Sequence, residues 1–165
     1  MIAFPPLARR GLVWAFVVLI LDQITKQWIV MSVMNPPRVI EVAPFFNIVM
    51  VWNRGISFGM FNSGADWNTW VMPILALLIT AGLLVLLWRT ASALLAVALG
   101  LVIGGALGNV IDRLRFGAVA DFLDFHWADW HWPAFNVADA AISLGALAFL
   151  AESLFAAPEK PKTKA

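Results

Sequence analysis

The chain has 165 residues, of which 62% are hydrophobic and 13% charged, and its formal net charge is +1. A soluble domain carries about 25% charged residues, so this composition excludes an ordinary water-soluble enzyme and fits a single integral membrane domain over residues 1–165. Absence of cysteine removes disulfides, thiolate metal sites and a thiol nucleophile, and the sparse Lys and Arg give no basic patch for nucleic acid.

The first apolar run covers about 12–30, long enough to span a bilayer as a helix. Arg9 and Arg10 precede it as they would a secretory signal, but the run is too long for one, lacks a small-residue cleavage site and ends in charged residues. Asp22 and Lys26 lie four apart near its far end, so they share a helix face and can pair. Two readings stay open there: a site role for Asp22, or a helix end whose Lys26 snorkels to the headgroups.

Residues 31–69 hold Pro36, Pro37 and Pro44, which break helices. Residues 45–52 are β-branched and aromatic and predict a strand. Asn53, Arg54 and Gly55 form a turn signal, and 56–61 could return as a second strand. A small hairpin on the membrane surface is expected. The second span is predicted at 70–88, with Pro73 in its first turn and tryptophans at both ends as interfacial anchors. The third is predicted at 91–111. Its Gly100, Gly104 and Gly108 recur every four residues and line one face for close helix packing.

Residues 112–135 read as a short polar connection, and the fourth span is predicted at 136–155, with a polar tail from Pro158. The expected fold is thus an all-α membrane protein with four transmembrane helices and a small periplasmic β-hairpin or cradle. Arg9, Arg10, Arg89, Lys160, Lys162 and Lys164 fall on one side, in short segments, which places both termini in the cytoplasm. Segments 31–69 and 112–135 are then periplasmic.

Candidate chemistry rests on carboxylates. His126, Asp129 and His131 are a conceivable metal set, but the tryptophans among them favour an aromatic belt, and no metal or other cofactor is expected. Lys26 has no serine tied to it by spacing. Asp139 opens an apolar segment that holds no further acid until Glu152, and an acid there marks a functional site. It shares a helix face with Ser143, which would point it into the bundle. Asp121 follows a small apolar run and is its best partner. Two carboxylates forced together in a low-dielectric site cannot both ionise, and such a pair can activate water for peptide hydrolysis. Surface charges or helix caps are the alternative for both residues. A proton carrier and a non-enzymatic helix scaffold are alternatives for the chain.

The chain resembles the lipoprotein signal peptidase (signal peptidase II) family of bacterial membrane aspartyl proteases. The resemblance rests on residues 21–26 around Asp22 and Lys26, 52–59 around Asn53, Arg54 and Gly55, 108–113 with Gly108, Asn109, Asp112 and Arg113, 119–122 around Asp121, and 135–139 with Asn136, Ala138 and Asp139. It implies Asp121 and Asp139 as the catalytic dyad. It implies Asp22, Asn53, Asn109, Arg113 and Asn136 as residues that shape the site. Lys26, Arg54, Gly55, Gly108, Asp112 and Ala138 fall in the same motifs as site support. The resemblance further implies diacylglyceryl-prolipoprotein substrates cleaved before the lipidated cysteine, membrane lipids as surroundings, inhibition by globomycin-type cyclic peptides, and a place in the inner membrane with the site near the periplasmic face.

Overall fold

A computed structural model describes residues 5–55 and 67–155. Its four helices are α1 (Pro6–Trp28), α2 (Trp67–Arg89), α3 (Ala93–Phe116) and α4 (Val137–Phe155). Its four strands are β1 (Ile40–Ala43), β2 (Phe46–Asn53), β3 (Val119–Trp127) and β4 (Trp130–His131), and a π-helical turn, Ile29–Val33, extends α1. Three helices, over Trp70–Arg89, Ala93–Phe116 and Val137–Phe155, are long and apolar enough to cross a membrane. Their outer faces are apolar too: Leu78 in α2 and Leu147 and Leu150 in α4 are exposed, which suits a surface in lipid. α1 is 23 residues long, as is α2, but it holds Arg9, Arg10, Asp22 and Lys26 where α2 holds only Arg89 as a charged residue.

α3 is the central helix and packs on the other three. Glycine makes this possible. A Cβ on Gly100 would run into the Gly11 carbonyl, and one on Gly104 into the Ala15 carbonyl, both on α1. Gly108 faces the Asp22 carboxylate, so the glycine face predicted on the third span is the face that meets α1. Gly105 abuts the Ala138 carbonyl, and Gly145 of α4 abuts that of Ala98. Ala8, Ala15, Leu87, Ala96, Leu99 and Ile103 fill the bundle core, and a second small core of Ile29, Met34 and Phe122 lies under the sheet.

The sheet is antiparallel in the order β1-β2-β3-β4. Phe135 adds a bridge to Leu123, accepting from the Leu123 N–H at 2.8 Å and donating to its carbonyl at 3.0 Å. That bridge brings the entry of α4 beside β3.

Several expectations change. Pro73 lies inside α2 rather than in its first turn, because the helix begins at Trp67. α3 continues five residues past 111, so Asp112, Arg113 and Arg115 belong to its last turns; Gly117, at φ 69°, then ends it in the left-handed conformation that glycine adopts without a Cβ penalty. Residues 119–131 form strands rather than a plain connection, and β2 pairs with β1 and β3. The return strand expected at 56–61 and the tail from Pro158 lie outside the described residues. On α4 the buried residues are Ala138, Ala141 and Gly145, while Ser143 is exposed. The inward face is therefore offset by one residue from the Asp139–Ser143 line, and Asp139 sits at its edge.

These contacts set a first test. Gly100→Val should lower the thermal midpoint in detergent by the equivalent of about 1–3 kcal/mol, since the α1 backbone it meets cannot yield. Gly82→Ala, with nothing within 4 Å of the added carbon, should leave the midpoint unchanged or raise it. Equal behaviour of the two variants would contradict the packing described.

Candidate active site

One end of the bundle gathers almost every polar residue singled out in the sequence. At its base is Lys26, buried at 3% exposure. An ammonium group has three N–H donors. Here they reach Asp22 Oδ2 at 2.9 Å, Asp112 Oδ2 at 3.1 Å and Asn109 Oδ1 at 2.9 Å. The snorkelling alternative is thus excluded for Lys26, which points inward to α3. Asp22 Oδ1 accepts from the Ala138 N–H at 3.0 Å, and Asp112 Oδ2 from the Ala120 N–H at 3.1 Å. Gln23 closes the cluster by donating to Asp22, to Asp112 and to the Gly108 carbonyl. Two carboxylates, one cation and the amides of α4 and β3 are thereby locked together. Buried charges survive only when paired and hydrogen-bonded in this way.

Above this cluster lie two asparagines. Asn109 must turn Oδ1 toward Lys26, because a cation offers no acceptor. Its Nδ2 therefore faces Asp139 and donates to Oδ1 at 2.8 Å. Asn136 is the N-cap of α4. Its Oδ1 accepts from the Asp139 N–H at 3.0 Å, while Asp139 Oδ2 accepts from the Asn136 N–H at 3.2 Å. This is a capping box built from Asn and Asp. Asp139 thus takes part in capping α4 as the partner of Asn136, and its other oxygen remains turned toward Asn109.

The same Asn136 uses Nδ2 to donate to Asp121 Oδ1 at 2.7 Å. One residue so bonds both aspartates. Asp121 Oδ2 accepts from Asn53 Nδ2 at 3.0 Å. Asn53 is held in that orientation because its Oδ1 accepts from the Gly55 N–H at 2.9 Å, in a turn where Gly55 adopts φ 89°. Burial raises the Asp121 carboxyl from the ordinary 3.8 to about 6; the charge of Asp139 adds to this, while the donors Asn53 and Asn136 and the charge of Lys26 oppose it.

Arg113 is half-buried. It donates weakly to the Asn109 carbonyl at 3.4 Å, and its Nε is buried without a hydrogen-bond partner among the described residues. Its charge acts on Asp139, Asp121 and Asp112, while the Asp112 carboxylate is bonded by Lys26. Arg54 is exposed and does not join the cluster. Ala138 and Gly108 contribute through backbone and lack of bulk. Gln23 was missed as a site residue; its only sequence signal is its place beside Asp22 in the same motif. Among the described residues no group of three or more His, Asp or Glu is arranged to hold a metal. His131 instead binds Asp124 at 2.9 Å and stacks on His126.

The Lys26 cluster predicts a large structural penalty. Lys26→Met leaves two buried carboxylates without their cation and should destabilise the fold by about 3–5 kcal/mol, read as a drop in unfolding midpoint in detergent. A surface-like change of under 1 kcal/mol would contradict the buried assignment.

A family model described as signal peptidase (SPase) II matches residues 14–155. A lipoprotein signal peptidase of Methylorubrum extorquens (strain PA1) is 45% identical over 158 residues, 94% of this chain and 91% of the relative. One from Serratia marcescens is 44% identical over 133 residues, covering 81% and 78%. A bacterial membrane enzyme solved by the in meso method at 1.9 Å superposes with a TM-score of 0.78 at 31% identity, over 90% of this chain and 94% of that one. A second such structure, at 2.3 Å, gives a TM-score of 0.75. With the family model spanning most of the chain and relatives this close along nearly its whole length, this membrane protein belongs to the signal peptidase II family.

Proposed function

We propose that this chain is the peptidase that removes signal peptides from diacylglyceryl-modified prolipoproteins, cleaving before the lipidated cysteine with Asp121 and Asp139 as its catalytic pair. The observation that carries this reading is Asn136, whose side-chain amide bonds Asp121 while its backbone N–H bonds Asp139. Asp139 receives two N–H donors at the positive end of the α4 dipole, a setting for a carboxylate acting as base. Asp121, raised to about 6 by burial, is the member assigned the proton. Asp139 takes a proton from water as the water oxygen attacks the scissile carbonyl. Asp121 gives its proton to the carbonyl oxygen. On collapse Asp139 passes its proton to the leaving nitrogen and Asp121 recovers one from the hydroxyl, so both return to their starting states.

In this reading α1 is the fourth span. Its exposed Val13, Phe16, Ile20 and Ile24 suit lipid, and it packs on α3 from Gly11 against Ala96 to Gln27 against Arg115. Both termini then lie in the cytoplasm and the aspartates near the periplasmic face of the inner membrane. β2 and β3 would receive the extended peptide beside Asp121, and Arg113 would steady the developing charge. Globomycin-type cyclic peptides would bind across the pair. The carrier alternative fits poorly, since α2 has no acid and the acids of α1, α3 and α4 near the site cluster at one end.

Asp121→Asn and Asp139→Asn should each abolish cleavage of a lipidated prolipoprotein in vesicles while leaving folded protein in the membrane; near-normal cleavage by either would end the dyad assignment. The pH profile gives a further check. The Asn53 donor lowers the Asp121 pKa, so Asn53→Ala should let Asp121 keep its proton to higher pH and move the alkaline limb of the rate profile upward. A downward shift would contradict Asp121 as the proton donor.

A further inference from the structure

The β3–β4 hairpin has two unlike faces. Its register pairs Trp127 with Trp130 and His126 with His131. Trp132 continues the ladder by donating its N–H to the Phe125 carbonyl at 2.8 Å. Alternation along a strand therefore puts Phe125, Trp127, Trp130 and Trp132 on one face. Asp124, His126 and His131 fall on the other, where His131 and Asp124 bond each other and Asn47 donates to Asp124 at 3.1 Å. On that face His126 Nδ1 and Asn47 Oδ1 are buried without a hydrogen-bond partner among the described residues. The aromatic face is not covered: Trp127 is 81% exposed, Trp130 61% and Trp132 56%. With Phe45 and Phe135 it borders an open hollow of about 380 Å³.

We propose that this aromatic face is an interfacial anchor that beds the hairpin in the headgroup layer of the membrane. The occupant is the bilayer for three reasons. The hairpin runs directly into α4, one of the helices apolar enough to cross a membrane, through Phe135 and the cap at Asn136. Its aromatics continue a ring at the same end of the bundle, formed by exposed Trp28 at the end of α1, Trp70 at the start of α2 and Phe116 at the end of α3. Tryptophan is the side chain that prefers this depth, with an apolar body and one N–H for the headgroups. Asp129 at the exposed tip limits insertion, since a carboxylate stays with water. The anchor has a consequence for the site. Asp121 and Trp127 lie six residues apart on the same strand, about 20 Å at strand rise, and alternation sets them on one side. Fixing Trp127 at the interface fixes the depth at which Asp121 meets a membrane-borne substrate. The anchor rests on the membrane reading of the chain and not on the chemistry of the aspartates.

The absence of cysteine makes site-directed labelling direct. A nitroxide is placed at Trp130→Cys, and separately at Trp127→Cys, in protein reconstituted into phosphatidylcholine–phosphatidylglycerol vesicles. Collision with oxygen, which partitions into lipid, is compared with collision with a water-soluble nickel chelate. Leu147→Cys, on the exposed face of α4, is the internal reference. The expected result is oxygen exceeding nickel severalfold at 127, 130 and 147, with the hairpin positions shallower than 147. Nickel-dominated collision at 127 and 130 with oxygen-dominated collision at 147 would overturn the anchor alone and show a water-facing groove. Protection from both reagents at the hairpin would overturn it in favour of a protein cover. Nickel-dominated collision at 147 as well would overturn the anchor together with the membrane placement of α4.

Discussion

The structure depends on burying one lysine among acids. Lys26 is the cation at the centre of a cluster that ties α1 to α3 through Asp112 and Asn109, α1 to α4 through Asp22 and Ala138, and α3 to β3 through Asp112 and Ala120. Charges in such a place are stable only while every partner is present. That requirement makes the cluster a register device. A helix that slides by one residue loses an ion pair rather than a mere contact. The glycines of α3 are the complement of this device, because Gly108 leaves room for the Asp22 carboxylate and Gly100 and Gly104 let α1 come close enough for Lys26 to reach across.

What the cluster fixes is the orientation of two amides. Lys26 compels Asn109 to present Nδ2 to Asp139, and Asn136, capping α4, presents its own to Asp121. The effects differ in weight. An N-cap contributes about 1 kcal/mol to a helix, whereas a broken buried ion cluster costs several times that. The asparagines therefore serve as adjusters on a frame that Lys26 sets. In the proposed chemistry the benefit of this arrangement is preorganisation: both carboxylates are held by donors before any substrate arrives. Asp121 adds the second ingredient, since removal from water lifts it toward neutrality where a proton donor is useful.

Much of this was legible in the sequence, and the reasons divide cleanly. Apolar runs fix helices, so the three membrane-length helices fall close to the expected 70–88, 91–111 and 136–155. The four-residue spacing of Gly100, Gly104 and Gly108 fixes a face, and the structure puts that face on α1. The motif residues that converge do so because the later turns of α1 and α3, the start of α4, the end of β2 and the first half of β3 meet at one end of the bundle. Long-range pairing was not legible. Nothing local says that Val51 should lie beside Asp121, or that Phe135 should bridge Leu123. Lys26 shows why: its spacing from Asp22 gives the shared face, but only the packed neighbour decides between headgroups and Asp112. The Asp139–Ser143 line failed for a similar reason, because small residues at 138, 141 and 145 let α4 seat on α3 one position away. The Asn136–Asp139 capping box was not anticipated, although an Asn opening an apolar run with an acid three residues on is its local signal.

The frame buries Asp121 and links it to Asp139 through Asn136, so that the Asp121 carboxyl keeps its proton above the ordinary carboxylate range. Infrared spectroscopy of protein labelled with carbon-13 aspartate reports protonated carboxyl groups directly, and Asp121→Asn assigns the band. The account predicts a protonated-carboxyl stretch that titrates near 6 and vanishes in that variant. If Asp121 is instead ionised down to the ordinary value of 3.8, burial does not hold its proton and Asp121 is not the proton donor of the site.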